Sequence, residues 1–322
     1  MSTLVLSTDD VKRSVDMNTV LRTVEDAFRE YGEDRAIMPP KEYINLPKGD
    51  FRAMPSYVNG AAGLKWVCVY PDNPRTKNLP TVMGVVVYNN PETGYPLAVM
   101  DGTLVTQLRT GASAGVASKY LARVDSETLG IVGCGAQAYT QFTAIKEFFD
   151  IDVIRVCDIS KKAVDEFKEV FSQYNVEECP ISEVVNSDII STVTPAREPL
   201  IKREWVKAGT HINAIGADAK GKQELDIQIL LDAKVVVDDT RQASHGGEIN
   251  IAISSGLLKV EEIHATLGEI VTGKKKGREG DEITVFDSTG LAIQDTATAK
   301  AIYQVAKKKG LGTEIDFVGE GC

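Results

Sequence analysis

The stretch Thr128–Ala138, with the sequence TLGIVGCGAQA, decides the fold of this chain. An apolar run typical of a buried strand breaks at Gly133 and Gly135, and a helical pattern of small and apolar residues follows. Glycines let the backbone approach a ligand closely, and a helix N-terminus offers free N–H groups to a pyrophosphate. Ala138, at the third small position, still permits close helix–strand packing. The stretch predicts a dinucleotide-binding fold with Gly133 and Gly135 at the cofactor.

A second predicted strand, Val153–Asp158, follows at the spacing of a strand–helix–strand unit and ends in an acid. Asp158 lies about 25 residues past the first glycine, near the ~20 that is typical of a ribose-binding acid. Its carboxylate would accept a hydrogen bond from a ribose 2′-hydroxyl and would repel a 2′-phosphate. The pattern therefore favours NAD over NADP. The alternative is a strand–turn–helix that binds no cofactor, followed by an ordinary acidic strand end.

Composition indicates a globular protein with neither a nucleic-acid nor a membrane partner. The 322 residues suffice for two domains, 43% of them are hydrophobic and 25% are charged, and the formal net charge is −10. A negative chain without a compact basic stripe argues against nucleic acid. We find no apolar run that could span a bilayer and no signal peptide, and therefore expect a cytoplasmic protein.

The cysteines and histidines give no metal-ligand spacing. The five cysteines contain no C-x-x-C pair, and only three histidines are present. Cys134 and Cys157 fall in the predicted nucleotide fold and are interpreted as small apolar residues in a reducing cytosol, rather than as nucleophiles. The others are Cys68, Cys179 and Cys322. We expect no bound metal.

Hydrophobic periodicity differs on the two sides of the glycine turn. A capping signature at Ser7 starts a helix predicted to end near Gly32, and segments of period two follow. The strands predicted there are Glu42–Leu46, Phe51–Tyr57, Gly63–Tyr70, Thr81–Tyr88 and Tyr95–Met100, and a helix of small residues is predicted at Asp101–Ala122. The strands predicted after the turn are Asp188–Thr194, Thr210–Gly216, Lys234–Asp239 and Glu282–Asp287, before a last helix at Leu291–Lys309.

Strands that alternate with helices predict a parallel, doubly wound sheet. The expected fold class is therefore α/β: a Rossmann-type doubly wound sheet plus an α+β substrate and dimerisation domain with a mostly antiparallel sheet. We place the substrate domain at residues 1–115, completed by the C-terminal segment 300–322, and the NAD-binding Rossmann domain at residues 116–299.

Four polar residues stand out from their surroundings. Lys65 lies in the middle of an apolar strand, where alternation alone leaves a buried and a solvent-facing position open. Arg52 is flanked by apolar residues, and Arg109 lies among small residues, where the alternative is an exposed helix arginine. Asp218 follows a strand end, where ligands bind in parallel sheets; the alternatives are a helix N-cap and a surface acid.

Other strand ends and one motif also carry polar groups. Thr192, Thr194 and Ser288 follow or end predicted strands and are candidates for ligand contact. His245-Gly-Gly-Glu248 has no partner serine, cysteine or metal pattern, and we interpret it as a loop or a dimer contact.

Several segments, taken in order, resemble one family over almost the full chain. They are Met54-Pro, Gly63-Leu-Lys-Trp, Leu79-Pro-Thr-Val-Met, Leu108-Arg-Thr-Gly-Ala, Gly133-Cys-Gly-Ala-Gln-Ala, Thr192-Val-Thr, Asn213-Ala-Ile-Gly-Ala-Asp, Gly221-Lys-Gln-Glu-Leu and Thr284-Val-Phe-Asp-Ser-Thr-Gly. In these segments the chain is similar to the ornithine cyclodeaminase/μ-crystallin family. The resemblance implies a homodimer that uses NAD(H) on an amino or imino acid, with the Rossmann domain between the N-terminal module and the C-terminal helix.

The resemblance also implies roles for individual residues. Lys41, Lys65 and Arg109 would bind the substrate carboxylate, and Asp218 would act at the substrate amine. The dinucleotide would contact residues of the turn, the strand ends and one helix, namely Thr110, Gly133, Gly135, Ala136, Gln137, Asp158, Thr192, Thr194, Ala214, Gly216 and Ser288.

Arg52 indicates which substrates the site would disfavour. In the cyclodeaminases of the family, the tripeptide before Met-Pro carries a glutamate that pairs the distal amine of ornithine, whereas this chain has Phe51-Arg-Ala there. A cation at this place would repel a second ammonium by ~1–4 kcal/mol at contact distance. With Arg52, the chain is most similar to the archaeal alanine dehydrogenases of the family.

The expected reaction is the NAD-dependent interconversion of L-alanine and water with pyruvate and ammonia. Lys65 and Asp218 are the expected catalytic residues, because a cation polarises the developing carbinolamine and an acid at a strand end accepts protons. The alternatives are a reductase of cyclic ketimines such as pyrroline or piperideine carboxylate, an ornithine cyclodeaminase, and a non-catalytic ligand-binding protein on the same scaffold.

Overall fold

The computed structural model describes residues 2–319, and among these residues no helix is long and apolar enough to cross a membrane. The strands are β1 (Thr3–Leu6), β2 (Glu42–Leu46), β3 (Gly49–Val58), β4 (Ala61–Val69), β5 (Val82–Asn89), β6 (Pro96–Asp101), β7 (Thr128–Val132), β8 (Val153–Cys157), β9 (Val176–Glu178), β10 (Ile189–Thr192), β11 (His211–Ala214), β12 (Lys234–Val237), β13 (Ala265–Thr266), β14 (Thr284–Asp287) and β15 (Thr313–Ile315). The α-helices are α1 (Thr8–Ser14), α2 (Met17–Gly32), α3 (Asn73–Thr76), α4 (Gly102–Leu121), α5 (Ala136–Ile145), α6 (Lys161–Val170), α7 (Ile181–Val184), α8 (Ile227–Asp232), α9 (Thr240–Gly246), α10 (Asn250–Ser254), α11 (Leu267–Val271) and α12 (Ala292–Lys309).

Internal contacts divide the chain into two units. The split unit comprises the residues up to Arg109 and those from Leu291 on, and the central unit comprises Thr110–Gly290. The boundaries placed from the sequence, after residues 115 and 299, lie further along the chain than these. The first boundary falls within α4, whose continuous helical pattern gives no signal of a domain end.

The split unit is built around a seven-stranded sheet. Its strands run in the order β15-β1-β6-β5-β4-β3-β2, and every neighbouring pair is antiparallel except β1 with β6. The five predicted strands are confirmed to within two residues at each end. The helix predicted from Ser7 to near Gly32 begins and ends as expected but is divided in two, because α1 ends at Ser14 and Asp16 caps a second helix, α2. β1 and β15 were missed because strands this short show no periodicity.

Helix α12 covers one face of this sheet, called here the inner face. It packs against α2, β3 and β4. A Cβ on Gly63 would lie 2.7 Å from Thr296 Oγ1, so β4 reaches this close to the helix only because residue 63 is glycine. Lys65 lies two residues further on the same face and is 1% exposed, whereas Trp66 points to the opposite, outer face and is 37% exposed. The structure therefore places Lys65 inside.

The central unit is built around an eight-stranded sheet in which every neighbouring pair is parallel. The strand order is β13-β12-β14-β11-β10-β7-β8-β9. The order reverses between β7 and β10, and this is where doubly wound sheets bind dinucleotides. The predicted fold class is confirmed.

Three predicted strands of the central unit end two residues too late. β10 ends at Thr192 and β11 at Ala214, because Thr194 and Gly216 turn their N–H groups to a buried carboxylate instead of a neighbouring strand. β12 ends at Val237, since Asp239 is the N-cap of α9. β9 and β13, each of three residues or fewer, were not predicted.

Candidate functional site

The glycine turn between β7 and α5 has the geometry that a pyrophosphate requires. Gly133 has a φ of +97°, in the left-handed region, and a Cβ there would lie 2.9 Å from the Thr194 side chain. Gly135 is the N-cap of α5, and a Cβ there would meet no described atom within 4 Å. Gly135 and Ala136 are exposed. Accessible N–H groups at the start of this helix, beside open space, fit the phosphates of a dinucleotide.

Asp158 is fixed beside this turn at the end of β8. Its Oδ2 accepts a hydrogen bond from the Cys134 N–H at 2.7 Å, and its Oδ1 accepts one from the Ser160 N–H at 2.7 Å. Each carboxylate oxygen has a second lone pair for an incoming hydroxyl. The half-buried Asp158 therefore fits the ribose-binding role predicted for it, and it braces the glycine turn at the same time.

A buried glutamate joins the ends of β10 and β11, and the sequence interpretation missed it. Glu224 accepts hydrogen bonds from the Thr192 hydroxyl at 2.6 Å, the Thr194 hydroxyl at 2.7 Å, the Thr194 N–H at 2.8 Å and the Gly216 N–H at 2.9 Å. These three partners are predicted cofactor residues, and contact between them and the dinucleotide stays a prediction. The only signal in the sequence was an acid next to a buried leucine in Gly221-Lys-Gln-Glu-Leu225.

Glu248 supports Glu224 from behind. Its Oε1 accepts from the backbone N–H of Glu224 at 2.9 Å and of Leu225 at 2.7 Å. Burial and the charge of Glu224 raise the pKa of Glu248 well above its usual value. Burial also raises the pKa of Glu224, but hydrogen bonds from Thr192, Thr194 and Gly216 counteract that rise, so Glu224 is the more acidic member of the pair. Of residues 245–248, which were interpreted as a loop or a dimer contact, His245 is exposed on α9 and the buried Glu248 lies in the turn before α10; a dimer contact stays a prediction.

The other predicted cofactor residues lie in the central unit at less distinctive places. Thr110 is buried in α4, and Gln137 is half-buried in the first turn of α5. Ala214, also buried, accepts from the Ser288 N–H at 3.0 Å. The Ser288 hydroxyl lies 3.5 Å from Asp238 Oδ2. No geometric feature distinguishes these four as ligand contacts, and their role stays a prediction.

Asp218 lies in the loop after β11 and is paired with a lysine. Its Oδ1 is 2.5 Å from Lys222 Nζ, and 27% of its side chain is exposed. Lys222 Nζ also donates to the Gly216 carbonyl at 3.3 Å. Asp226, rather than Asp218, is the N-cap of the next helix, so the alternative of a capping role is excluded. A partly exposed carboxylate next to a cation can take up a proton and release it to solvent.

In the split unit, two predicted substrate cations share one carboxylate. Lys65 Nζ lies 2.8 Å from Asp295 Oδ2, and Arg109 Nε lies 3.0 Å from Asp295 Oδ1. Lys65 also donates to Thr106 Oγ1 at 3.3 Å, and Arg109 donates to Gln294 Oε1 at 3.1 Å. The side chains of Lys65, Arg109 and Asp295 are 7% exposed or less. We call these three residues the ion triad.

Lys65 has an unusual protonation equilibrium. Burial, together with the nearby charges of Arg109 and Lys41, lowers the pKa of Lys65 to about 7, although Asp295 acts in the opposite direction and raises it. The predicted cations Lys41, Lys65 and Arg109 are therefore electrostatic neighbours. Asp295 was missed from the sequence, where the sole signal was a polar Gln-Asp pair at the start of an otherwise apolar helix.

Arg52 lies on the inner face of the same sheet as Lys65. Met54 is the partner of Lys65 across β3 and β4, and Arg52, two residues from Met54, shares its face. Arg52 is 5% exposed, its Nε lies 2.6 Å from Asp50 Oδ1, and its guanidinium lies 5.4 Å from the centre of the Tyr43 ring. The fourth predicted substrate residue is thus a buried cation held in place by Asp50.

The cysteines behave as apolar residues. Burial raises the pKa of Cys134 and of Cys157 to about 12, so neither is a thiolate nucleophile. Cys322 lies outside the described residues. Within residues 2–319, no group of three or more histidine, cysteine or acidic side chains could hold a metal ion.

Known proteins resemble this chain over nearly its full length. The sequence profile of the ornithine cyclodeaminase/mu-crystallin family matches residues 1–310. The alanine dehydrogenase of Archaeoglobus fulgidus is 52% identical over 98% of this chain and 99% of its own length. A solved archaeal alanine dehydrogenase dimer with bound NAD, 52% identical, has a TM-score of 0.96 over 98% of this chain and 100% of its own.

A second solved relative carries a different name. The Δ1-pyrroline-2-carboxylate reductase of Thermococcus litoralis, in complex with NADH and L-proline, has a TM-score of 0.95 at 40% identity, over 97% of this chain and 100% of its own. The resemblance predicted from the motifs is confirmed: the chain belongs to the ornithine cyclodeaminase/mu-crystallin family.

Proposed function

We propose that this chain is an NAD-dependent oxidoreductase that interconverts L-alanine and water with pyruvate and ammonia. The observation that carries the proposal is the set of buried cations, Lys65 and Arg109 in the ion triad with Arg52 on the same face as Lys65. Such a site suits a small carboxylate without a second positive charge. The relatives named alanine dehydrogenase support it, and relatives solved with NAD or NADH support the cofactor.

The cations orient the substrate and stabilise charge. Bound NAD supplies the acceptor for the hydride that leaves the substrate Cα. Lys65 and Arg109 fix the carboxylate, so that Cα has one orientation. Water adds to the resulting iminium carbon and its oxygen then loses protons, so negative charge develops on that oxygen as the carbonyl forms, and the Lys65 ammonium would donate a hydrogen bond to it.

Asp218 is the proposed proton acceptor. It takes a proton from the ammonium of alanine, which frees the nitrogen lone pair, and then takes one from the attacking water. The carbinolamine nitrogen then takes a proton back from Asp218 and leaves as ammonia, while the hydroxyl proton passes to solvent and the carbonyl of pyruvate forms. With 27% of its side chain exposed, Asp218 can exchange protons with solvent.

Arg52 argues against diamino acids as substrates. Asp50 fixes its guanidinium within the buried surface, so the cation does not simply swing into solvent. A second ammonium brought near it would be repelled by ~1–4 kcal/mol. Ornithine and lysine are therefore poor substrates in this proposal, and an ornithine cyclodeaminase is disfavoured.

A cyclic ketimine reductase is the second candidate, because the relative solved with NADH and L-proline bears that activity in its name. The same cations would bind the carboxylate of a cyclic imine. Reduction of a cyclic imine differs from the alanine reaction in that the substrate nitrogen stays in the ring. Ammonia is therefore neither consumed nor released. A non-catalytic ligand-binding role is a third outcome of the test below.

The test follows NADH loss at 340 nm (the usual absorbance of the reduced cofactor) with pyruvate, with pyruvate plus ammonium, and with Δ1-pyrroline-2-carboxylate. The proposal requires oxidation with pyruvate that depends on ammonium. Turnover of the cyclic imine alone would replace it with the ketimine reductase. Binding of NADH without turnover of either substrate would indicate the ligand-binding role. A cytoplasmic location stays a prediction.

We further propose a homodimer that forms through the outer face of the split unit's sheet. This face is apolar and partly exposed, and its members include Ile44, Leu46, Phe51, Trp66, Met83 and Val85. A groove of about 560 Å³ lies on it, lined by Phe51, Trp66, Met83 and Val85 among others. Apolar patches of this kind mark association sites. The alanine dehydrogenase relative solved as a dimer supports a second copy as the occupant.

Trp66→Glu is expected to convert the dimer to a monomer, because it puts a charge in the middle of the apolar outer face. Size-exclusion chromatography with light scattering measures the mass, and circular dichroism checks the fold. Leu257→Glu is the matched control, since Leu257 is 56% exposed in the central unit. A Trp66→Glu chain that keeps the mass of a dimer would rule out this face as the interface.

A further inference from the structure

Asp295 is the one member of the ion triad that has no assigned role. We propose that Asp295 is a positioning residue, which holds Lys65 and Arg109 side by side and keeps Lys65 charged, so that the pair can receive the substrate carboxylate. This inference rests on the proposed function, in which Lys65 and Arg109 bind that carboxylate.

The first argument is geometric. Each carboxylate oxygen of Asp295 serves a different cation, Oδ2 at 2.8 Å from Lys65 and Oδ1 at 3.0 Å from Arg109. Lys65 lies on β4 and Arg109 on α4. Asp295 on α12 forms an ion pair with both side chains and therefore holds the two cations close together. A neutral amide could accept from one cation but would present its own N–H groups to the other.

The second argument is charge balance. The ion triad carries two positive charges and one negative charge, and its members are almost completely buried. The net charge of one is what a single carboxylate neutralises. Without Asp295, the buried cations would repel each other, and Lys65, the weaker base, would give up its proton. A neutral amine attracts a carboxylate far less than an ammonium does.

The third argument is the local field at position 295. Asp295 lies in the first turn of α12, where the helix dipole favours a negative charge. The charged groups that face Lys65 are Arg109 from α4, Asp295 from α12 and Lys41 from the segment before β2. Asp295 is the only anion among these three, so the protonation of Lys65 depends on it.

Hydrogen bonds around the ion triad leave room for a ligand. Lys65 Nζ forms an ion pair with Asp295 Oδ2 and donates one hydrogen bond to Thr106, so it has further N–H donor capacity for a ligand. Arg109 uses Nε on Asp295 and one terminal nitrogen on Gln294. The other terminal nitrogen has two N–H bonds that can meet a substrate oxygen. Asp295 therefore uses only part of the N–H donors of Lys65 and Arg109, and the others can bind a ligand.

The experiment compares Asp295→Asn with the unmodified chain, both loaded with NADH. The KM for pyruvate at saturating ammonium is expected to rise roughly tenfold or more, with a smaller change in kcat, because substrate binding is what the change weakens. Lysine labelled with ¹³C at Cε reports the protonation of Lys65 by NMR. Its titration midpoint is expected to fall by about one pH unit or more. The Lys65→Met spectrum assigns the signal.

Thr296→Val is the matched control. Thr296 is the next residue on α12 and is buried, and its hydroxyl lies 2.6 Å from that of Ser56 rather than near a cation. This substitution tests the general effect of disturbing the buried helix, and the Lys65 midpoint and the KM are expected to stay as in the unmodified chain. Thermal unfolding and NADH fluorescence check that each variant is folded and binds cofactor.

Arg109→Met gives a second test with the opposite sign, and it is independent of whether Asp295→Asn folds. Removing Arg109 takes away a repelling charge and leaves Asp295 to Lys65 alone, so the Lys65 midpoint is expected to rise by about one pH unit. Unchanged midpoints in both variants would overturn the inference. The NMR measurement needs no substrate. If the unmodified chain does not turn over alanine, the proposed function is contradicted, whereas the proposed role of Asp295 in the protonation of Lys65 is still tested by the titration midpoints.

Discussion

Asp218→Asn is expected to lower turnover of alanine and of pyruvate with ammonium by about 10²-fold or more, the usual effect of losing a general acid–base group. Asparagine keeps the shape of the side chain and can still accept a hydrogen bond from Lys222. It cannot take up the protons released when the amine and the water react. The loss is therefore expected in kcat and kcat/KM together.

NADH affinity should separate this effect from a structural one. Asp218 lies in the loop after β11 and pairs with Lys222, so the glycine turn and Asp158 are untouched by its substitution. Fluorescence titration is expected to give a Kd within about twofold of the unmodified value, well under the ~1.4 kcal/mol that a tenfold change represents. Asp281→Asn, at an exposed loop position of the same unit, is the control. Near-normal turnover in Asp218→Asn would remove Asp218 from the mechanism.

Glu224→Gln is expected to weaken NADH binding roughly tenfold or more, because small displacements of a binding loop are costly, and to lower the free energy of unfolding by about 1–3 kcal/mol. The reason is a conflict of donors. Oε1 accepts from the Thr194 N–H and Oε2 from the Gly216 N–H, and neither backbone group can turn away. Whichever oxygen becomes an amide nitrogen, one buried N–H then faces another donor.

Glu248→Gln is the matched control, and its expected result is nearly the reverse. Burial and the charge of Glu224 raise the pKa of Glu248, which favours its neutral form. A single amide oxygen can replace Oε1, which accepts from the backbone N–H groups of both Glu224 and Leu225. NADH fluorescence and chemical denaturation measure both variants. Equal losses in the two would show that the carboxylate of Glu224 has no special role.

The pH dependence of stability follows from the same pair. The pKa of Glu248 is higher in the folded chain than in the unfolded one, because of burial and the charge of Glu224. Between the two values the folded chain holds a proton that the unfolded chain has released, so stability falls as pH rises. Glu248→Gln is expected to flatten this fall above the unfolded value of about 4.3.

The sequence could predict the features whose residues are close together in the chain. Gly133, Gly135 and Asp158 belong to one strand–turn–helix–strand unit, and a spacing rule describes them. The sequence could not show whether Lys65 points to the inner or the outer face of the sheet, because apolar residues occur on both faces of β4. Only the close approach of α12 at Gly63 distinguishes the two faces.

Asp295 and Glu224 were missed for a related reason. The bond from Arg109 to Asp295 spans 186 positions, and the bonds from Glu224 to Thr194 span 30. Periodicity detects which face of an element is apolar, but it carries no information about which distant residue completes a buried charge. The cations themselves were recognised through family motifs, whereas their shared anion lies outside every motif that was matched.

The chain order of the split unit has a consequence for how the protein is made. Asp295 and the rest of α12 leave the ribosome only after the whole of Thr110–Gly290. Until then the nascent sheet has Lys65 and Arg109 with no anion to share and an inner face with no helix on it. The split unit therefore contains the first strands to be synthesised but cannot complete its fold until the end of synthesis. The central unit can fold before that.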